Sequence, residues 1–157
     1  MKNLTKEIMK EVSINKTMHL SEHFTLGEVT KSRHDEIYNI PSHVAIENLK
    51  RVCKWLEELR VRAKTPIVIN SGYRSPQLNK KVGGSPTSNH LTGCAVDIRV
   101  AGIEQALRYA VILMDYADET KQDYDELFIE RNRHGRYWVH FAVRPKDNRR
   151  RTMFLQP

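Results

Sequence analysis

Two well-separated segments of this 157-residue chain strongly constrain its fold. Over 95–100, apolar β-branched residues alternate with polar ones that include Asp97, a pattern typical of a strand with one face in the core. Over 136–143, the same alternation places Trp138 and His140 opposite the apolar residues. Each strand therefore offers a carboxylate or an imidazole on its non-core face, and a sheet could bring the two together.

The remaining elements are helices and strands in mixed order. Apolar residues recur at steps of three and four over 45–63 and over 103–117, which predicts two amphipathic helices. Shorter elements are predicted as well: a buried strand at 66–70, a helix between Ser75 and Gly83, a strand at 126–130 and a hairpin turn at 132–135. This mixture predicts the α+β class.

The chain is basic, since Lys and Arg number 26 against 19 Asp and Glu, for a formal net charge of +7. A basic surface favours polyanions, either nucleic acid or bacterial wall polymers. Arg149, Arg150 and Arg151 form a basic cluster near the end of the chain, but no recognisable nucleic-acid-binding motif accompanies it. The sequence therefore argues against nucleic acid as the partner.

No segment has the apolar run of a signal peptide or of a membrane-spanning helix. We therefore expect a protein that is cytoplasmic as made and does not insert into a membrane. Cys53 and Cys94 lie in apolar surroundings and form no CxxC pair, which favours buried free thiols over a disulfide.

His90, Asp97 and His140 form the candidate metal site. Two imidazoles and one carboxylate leave a fourth position open, as a hydrolytic zinc ion requires. Two alternatives stay open at this point: a structural hydrogen bond between histidine and aspartate, and the facial triad of an Fe(II) oxygenase. Six residues separate His90 from Asp97, whereas facial triads commonly have a single residue there, so zinc is favoured.

The residues around this site resemble the zinc D-alanyl-D-alanine carboxypeptidases and the related L-alanyl-D-glutamate endopeptidases, which share their fold with the hedgehog signalling domain. Their motif SxHxxGxAxD is present as Ser88, His90, Gly93, Ala95 and Asp97. The similarity extends to 71–75 and 138–140, and 20–24 resembles a bacterial and phage branch of the group. It covers residues 20–143.

The resemblance implies a small antiparallel sheet with helices packed on it. We expect the peptidase domain at 20–145, between an N-terminal arm at 1–19 and a basic tail at 146–157. The resemblance also implies one zinc ion per chain, held by the two histidines and the aspartate. The activity that it implies is hydrolysis of peptide bonds in peptidoglycan stem peptides, by a carboxypeptidase or an endopeptidase, in wall remodelling or phage lysis.

The resemblance assigns roles to residues outside the metal site. Arg74 would polarise the scissile carbonyl and stabilise the oxyanion, although pairing with a carboxylate is the structural alternative. Ser88, Tyr73 and Trp138 fall where substrate contacts are expected. For Ser88 and Tyr73 the alternative is local hydrogen bonding.

The catalytic base departs from the family pattern. Many members carry a glutamate three residues before the last zinc histidine, where this chain has Tyr137. In an antiparallel hairpin centred on the predicted turn, Glu130 would face Trp138 and lie diagonal to His140, close enough to act as the base. Glu126 has the same parity but is expected to lie too far along the strand.

The displaced glutamate leaves a second function open. Glu130 could be an exposed residue at a strand end, and the chain would then be a catalytically inactive, zinc-containing module that binds peptidoglycan. With either function we expect a monomer. It would act on the wall once released, as an endolysin-like protein of phage or prophage origin does, or remain in the cytoplasm as a recycling enzyme.

Overall fold

The structure is a computed structural model that describes residues 15–157. Its helices are α1 (Leu26–Thr30), α2 (His43–Ala63), α3 (Pro76–Lys81) and α4 (Ile103–Thr120), with short 3-10 helices at Asn15–Thr17 and Asn89–Thr92. Its strands are β1 (Ile69–Ser71), β2 (Ala95–Arg99), β3 (Glu126–Arg131), β4 (Tyr137–Ala142) and β5 (Arg151–Leu155). The predicted α+β class is confirmed.

The five strands form one sheet in the order β1-β2-β4-β3-β5. Neighbouring strands are antiparallel except for β5, which runs parallel to β3. Asp97 on β2 lies opposite His140 on β4, and Glu130 on β3 lies opposite Trp138. The hairpin register predicted from the sequence is therefore confirmed.

The hydrophobic core lies on one face of the sheet, under α2 and α4. The core-facing sheet residues include Val96, Ile98, Val139 and Phe141, all with no exposed surface. The predicted stripe of α2 packs on them with Leu49, Val52, Leu56 and Leu59, which are equally buried. Each such side chain contributes roughly 1.5–3 kcal/mol to folding. Because this face supplies the core, the other face is free to carry polar side chains.

Two short elements differ from the prediction. The segment 66–70 forms a strand only at its end, and Val68 is 38% exposed, because β1 is an edge strand that is not covered on both faces. Helix α1 was not predicted. Its start nevertheless has a capping box, in which the Thr25 side chain accepts from the backbone N–H of Glu28 and the Glu28 carboxylate accepts from that of Thr25.

Within the segment predicted as a basic tail at 146–157, Arg151–Leu155 form strand β5 of the sheet. Its anchor is Asp125, whose carboxylate is fully buried and accepts from Arg149 Nε and Nη2 at 2.9 and 2.8 Å. Arg150 pairs with Asp118 and Asp123. The basic cluster thus meets acidic residues at the end of α4 and before β3, which are distant in sequence.

Other expectations concern the start of the chain, the cysteines and the membrane. The predicted arm at 1–19 lies mostly outside the described residues. Cys53 and Cys94 are buried and unpaired. Among residues 15–157, no helix combines the length and the apolar character needed to cross a bilayer.

Asp125 should make folding stability depend on pH in acid. Burial raises the pKa of Asp125, but hydrogen bonds from Arg149 and Asn89 outweigh this and hold it at about 2, below the ordinary 3.8. The stabilisation is therefore present above about pH 4 and is lost as the pH falls through 2. Because Arg149 is partly exposed, we expect the loss to be on the order of 1 kcal/mol.

Urea unfolding at pH 5 and pH 2 tests this prediction. Asp125→Asn should lower the free energy of unfolding at pH 5 and remove this part of the pH dependence. The exposed Asp115→Asn should keep it. An Asp125→Asn protein with the full wild-type dependence would contradict the assignment.

Candidate metal centre

His90 is held by the 3-10 helix that begins after Ser88. The hydroxyl of Ser88 accepts from the His90 backbone N–H at 3.2 Å. The His90 ring is 3% exposed, and its Nδ1 lies 2.6 Å from the carbonyl oxygen of Gly72. Because a carbonyl can only accept, Nδ1 carries a hydrogen, and Nε2 faces the polar side of the sheet.

Two glycines of the sequence motifs make this placement possible. A Cβ atom on Gly72 would lie 2.2 Å from the Val29 carbonyl oxygen, so only glycine permits this approach of the loop after β1. A Cβ on Gly93 would lie 2.5 Å from the Ala45 carbonyl oxygen, and its φ of +74° also favours glycine. Gly72 thereby packs against α1 and Gly93 against α2, while the backbone N–H of Arg74 donates to the His90 carbonyl oxygen at 3.0 Å.

Asp97 is the meeting point of both histidines. Its Oδ1 lies 3.1 Å from Nδ1 of His140 and 3.3 Å from Nε2 of His90. The three side chains are buried, and one ligand atom from each lies within 4.8 Å of the others. The convergence follows from the register of β2 and β4, which puts Asp97 directly opposite His140 on the same face.

The charges of this cluster complement one another. Burial raises the pKa of Asp97, but attraction by His90 and hydrogen bonding to both histidines outweigh burial and hold this pKa well below its usual range. Burial lowers the pKa of His140, yet hydrogen bonds to Asp97 and Glu126 raise it to about 9. The cluster thus contains an ionised carboxylate that attracts positive charge.

Glu126 supports His140 from behind. Its Oε1 accepts from His140 Nε2 at 3.0 Å and from Asn89 Nδ2 at 2.6 Å. The expectation that Glu126 lies too far along the strand was wrong, because Glu126 pairs with Ala142, two residues beyond His140. Glu126 is thus diagonal to His140 on one side, as Glu130 is on the other. The antiparallel pairing that puts Glu130 on the same face as His140 puts Glu126 on that face as well.

The donor set fits a divalent metal ion. His90 Nε2, Asp97 Oδ1 and His140 Nδ1 converge, while Gly72 and Glu126 engage the other ring nitrogen of each histidine. Metal-binding histidines ordinarily use their second nitrogen in this way.

Glu130 and Trp138 form a pair beside the cluster. The indole Nε1 of Trp138 donates to Glu130 Oε2 at 2.5 Å. Burial and the negative charge of Asp97 both raise the pKa of Glu130, whereas His140 and His90 lower it less. Glu130 is therefore within electrostatic reach of the candidate ligands.

Arg74 connects the cluster to the loop after β1. Its Nη2 donates to Asp97 Oδ2 at 3.1 Å, its Nε to Ser71 at 3.1 Å and its Nη1 to Asn79 at 3.3 Å. The structural alternative for Arg74, pairing with a carboxylate, is thus what the structure contains. Among residues 15–157, these bonds use three of its five N–H groups.

Comparison with known proteins identifies the family. The Peptidase M15 family model matches residues 22–134. This chain belongs to the M15 peptidases. The resemblance inferred from the sequence is therefore confirmed. The match includes His90, Asp97 and Glu130 but ends before His140.

Among solved structures, the M15 chain is similar to the L-Ala D-Glu endopeptidase ChiX of Serratia marcescens. The two are 21% identical with a TM-score of 0.42, over 72% of this chain and 96% of that one. No curated protein matches the sequence.

The predicted substrate-contacting residues of this M15 peptidase lie in three different settings. Tyr73 is 8% exposed and belongs to the hydrophobic core, which leaves little of its ring for a substrate. Ser88 caps the helical turn of His90. Trp138 is half-buried and holds Glu130. Substrate contact by Tyr73, Ser88 and Trp138 stays a prediction.

Replacing Glu126 should weaken metal binding by the M15 peptidase. Glu126→Leu removes the acceptor that orients His140, and we expect zinc affinity to fall about 10- to 100-fold. Glu126→Gln keeps an acceptor oxygen and should stay within about threefold of the wild type. Competition with a chromophoric chelator measures both affinities. The exposed Glu104→Leu serves as control, and unchanged affinity in Glu126→Leu would rule out the supporting role.

Proposed function

We propose that this M15 peptidase depends on zinc and hydrolyses peptide bonds in peptidoglycan stem peptides, as a carboxypeptidase or an endopeptidase. The convergence of His90, Asp97 and His140 on the polar face of the sheet is the observation that carries the proposal. Two imidazoles and one carboxylate are the ligands that zinc takes in hydrolytic sites. When bound, zinc supplies a Lewis acid that makes water nucleophilic at neutral pH.

Glu130 is the proposed general base. It is half-buried on the strand next to that of His140, and it stands on the ligand face because it pairs with Trp138. The Trp138 N–H engages only Oε2, so Oε1 can accept a proton from water and pass it to the leaving amine. The raised pKa of Glu130, caused first by burial, suits a group that takes and returns a proton.

Arg74 is proposed to stabilise the negative charge that develops on the scissile carbonyl oxygen. The structural pairing with Asp97 and this role are compatible, because one guanidinium can serve both with its five N–H groups. The bonds to Ser71 and Asn79 fix the plane of the guanidinium in advance. A donor held in place before reaction is the arrangement that stabilises oxyanions best.

Substitution of Glu130 tests the proposed base. Glu130→Gln keeps an oxygen that accepts from Trp138, so the fold and bound zinc should be retained. Removal of the base should lower turnover of purified muropeptides about 10²- to 10⁴-fold. Mass spectrometry of the products and zinc determination on the same sample provide the readouts, and the exposed Glu104→Gln is the matched control.

The outcomes separate the two candidate functions. Near-normal cleavage by Glu130→Gln would overturn the base assignment. Muropeptide binding by the wild type without any product would favour the inactive binding module instead. His90→Ala should lose zinc, and full zinc stoichiometry in that variant would refute the ligand assignment.

A further inference from the structure

A cationic cleft adjoins the metal centre at the β1 edge of the sheet. Its volume is about 530 Å³, and five of its eleven lining residues are Lys or Arg, while none is Asp or Glu. These cations are Lys31, Arg33, Arg74, Arg99 and Arg136. We call this the β1-edge cleft.

The cations of the β1-edge cleft lack acidic partners. Among residues 15–157, no carboxylate oxygen lies within 4.0 Å of the charged nitrogens of Lys31, Arg33, Arg99 or Arg136. By contrast, the arginines of the 149–151 cluster all pair with carboxylates. Gathering four positive charges without compensation opposes folding, and an anionic ligand would relieve this repulsion.

The cleft is continuous with the candidate metal centre. Arg74 and Ser71 line it, and Arg74 also donates to Asp97 at 3.1 Å. Arg99 follows Asp97 by two residues on β2, so its side chain starts from the same face of the sheet. A ligand in the cleft would therefore lie beside the three candidate ligands of the metal.

The sheet order gives this site two unlike sides. Glu126 and Glu130 lie on β3, beyond β4, whereas the β1-edge cleft is lined by β1, by Arg99 at the end of β2 and by Arg136 just before β4, with no residue of β3. Neighbouring strands are about 4.8 Å apart, and an extended peptide rises about 3.3 Å per residue. A peptide that crosses the strands with its scissile bond at the metal centre would place its next few residues in the cleft.

We propose that the β1-edge cleft binds free carboxylates of the substrate, so that the enzyme selects acidic peptides with two or more carboxylates on one side of the scissile bond. The inference rests on the proposed function and specifies its substrate class. A cleft of about 530 Å³ has room for a few peptide residues. A long polyanion would instead call for an extended stripe of charge, which the paired 149–151 cluster does not add.

Paired peptides test this specificity. The probes are stem peptides containing L-Ala–D-Glu and D-Ala–D-Ala bonds, each made with its carboxyl groups free or converted to carboxamides. We expect wild-type kcat/KM to be at least about tenfold higher for the free acids in low salt, with the ratio falling as salt screens the charges. In the double variant Lys31→Gln/Arg33→Gln, the ratio should approach one while cleavage of the amides is unchanged.

Controls guard against loss of structure. Arg136→Gln removes one charge only and should lower the ratio by a smaller factor, and circular dichroism shows whether each variant folds. Arg108→Gln, an exposed change on α4 away from the cleft, should keep the wild-type ratio. Equal kcat/KM for acid and amide in the wild type would overturn the proposal and leave the proposed peptidase function intact.

A binding measurement separates the two proposals further. Fluorescence anisotropy with labelled peptides and the zinc-loaded Glu130→Gln protein reports affinity without turnover. Tighter binding of the acids, lost in Lys31→Gln/Arg33→Gln, supports the cleft even if the wild type cleaves neither peptide, an outcome that would refute only the hydrolysis. An oligonucleotide that binds more tightly than the acidic peptides at physiological salt, and loses affinity in the same variant, would overturn the peptide assignment.

Discussion

The buried carboxylate of Asp97 is the point on which the rest of the site depends. One oxygen faces His90 and His140, and the other accepts from Arg74. An isolated carboxylate in this position would be strongly destabilising, so its partners must be in place when the chain folds. The β2–β4 register supplies His140, and a slip of one residue would move either side chain to the core face.

A second set of hydrogen bonds fixes the orientation of the two histidine rings that face Asp97. Gly72 holds the His90 ring, and Glu126 holds that of His140. Glu126 is itself linked through Asn89 to Asp125, which anchors the C-terminal strand by Arg149. The last strand pairs with β3 from Glu126, opposite Arg151, to Glu130, opposite Leu155, and so stabilises the strand from which both glutamates of the site project.

The sequence could predict contacts within a strand or a hairpin, but not contacts between segments far apart along the chain. Alternation within β2 and β4 predicted which side chains share a face, and antiparallel pairing about the hairpin turn predicted that Glu130 faces Trp138. The same pairing places Glu126 opposite Ala142 and therefore diagonal to His140, although Glu126 was expected to lie too far along the strand. The pairing of Arg149 with Asp125 leaves no periodic signal, since it joins a segment after β4 to one before β3. Strand β5 was missed for the same reason.

The net charge of +7 likewise does not indicate which cations lack an acidic partner in the fold. The conspicuous run of arginines at 149–151 is neutralised by carboxylates, whereas the four uncompensated cations come from three separate segments that no motif connects. The excess positive charge is spread along the sequence, but in the fold one face of the sheet is basic beside β1 and acidic on β3. On the proposed function, this polarity would fix the direction in which an acidic peptide crosses the metal centre. The direction of the bound chain then decides which of its amide bonds lies between Arg74 and Glu130.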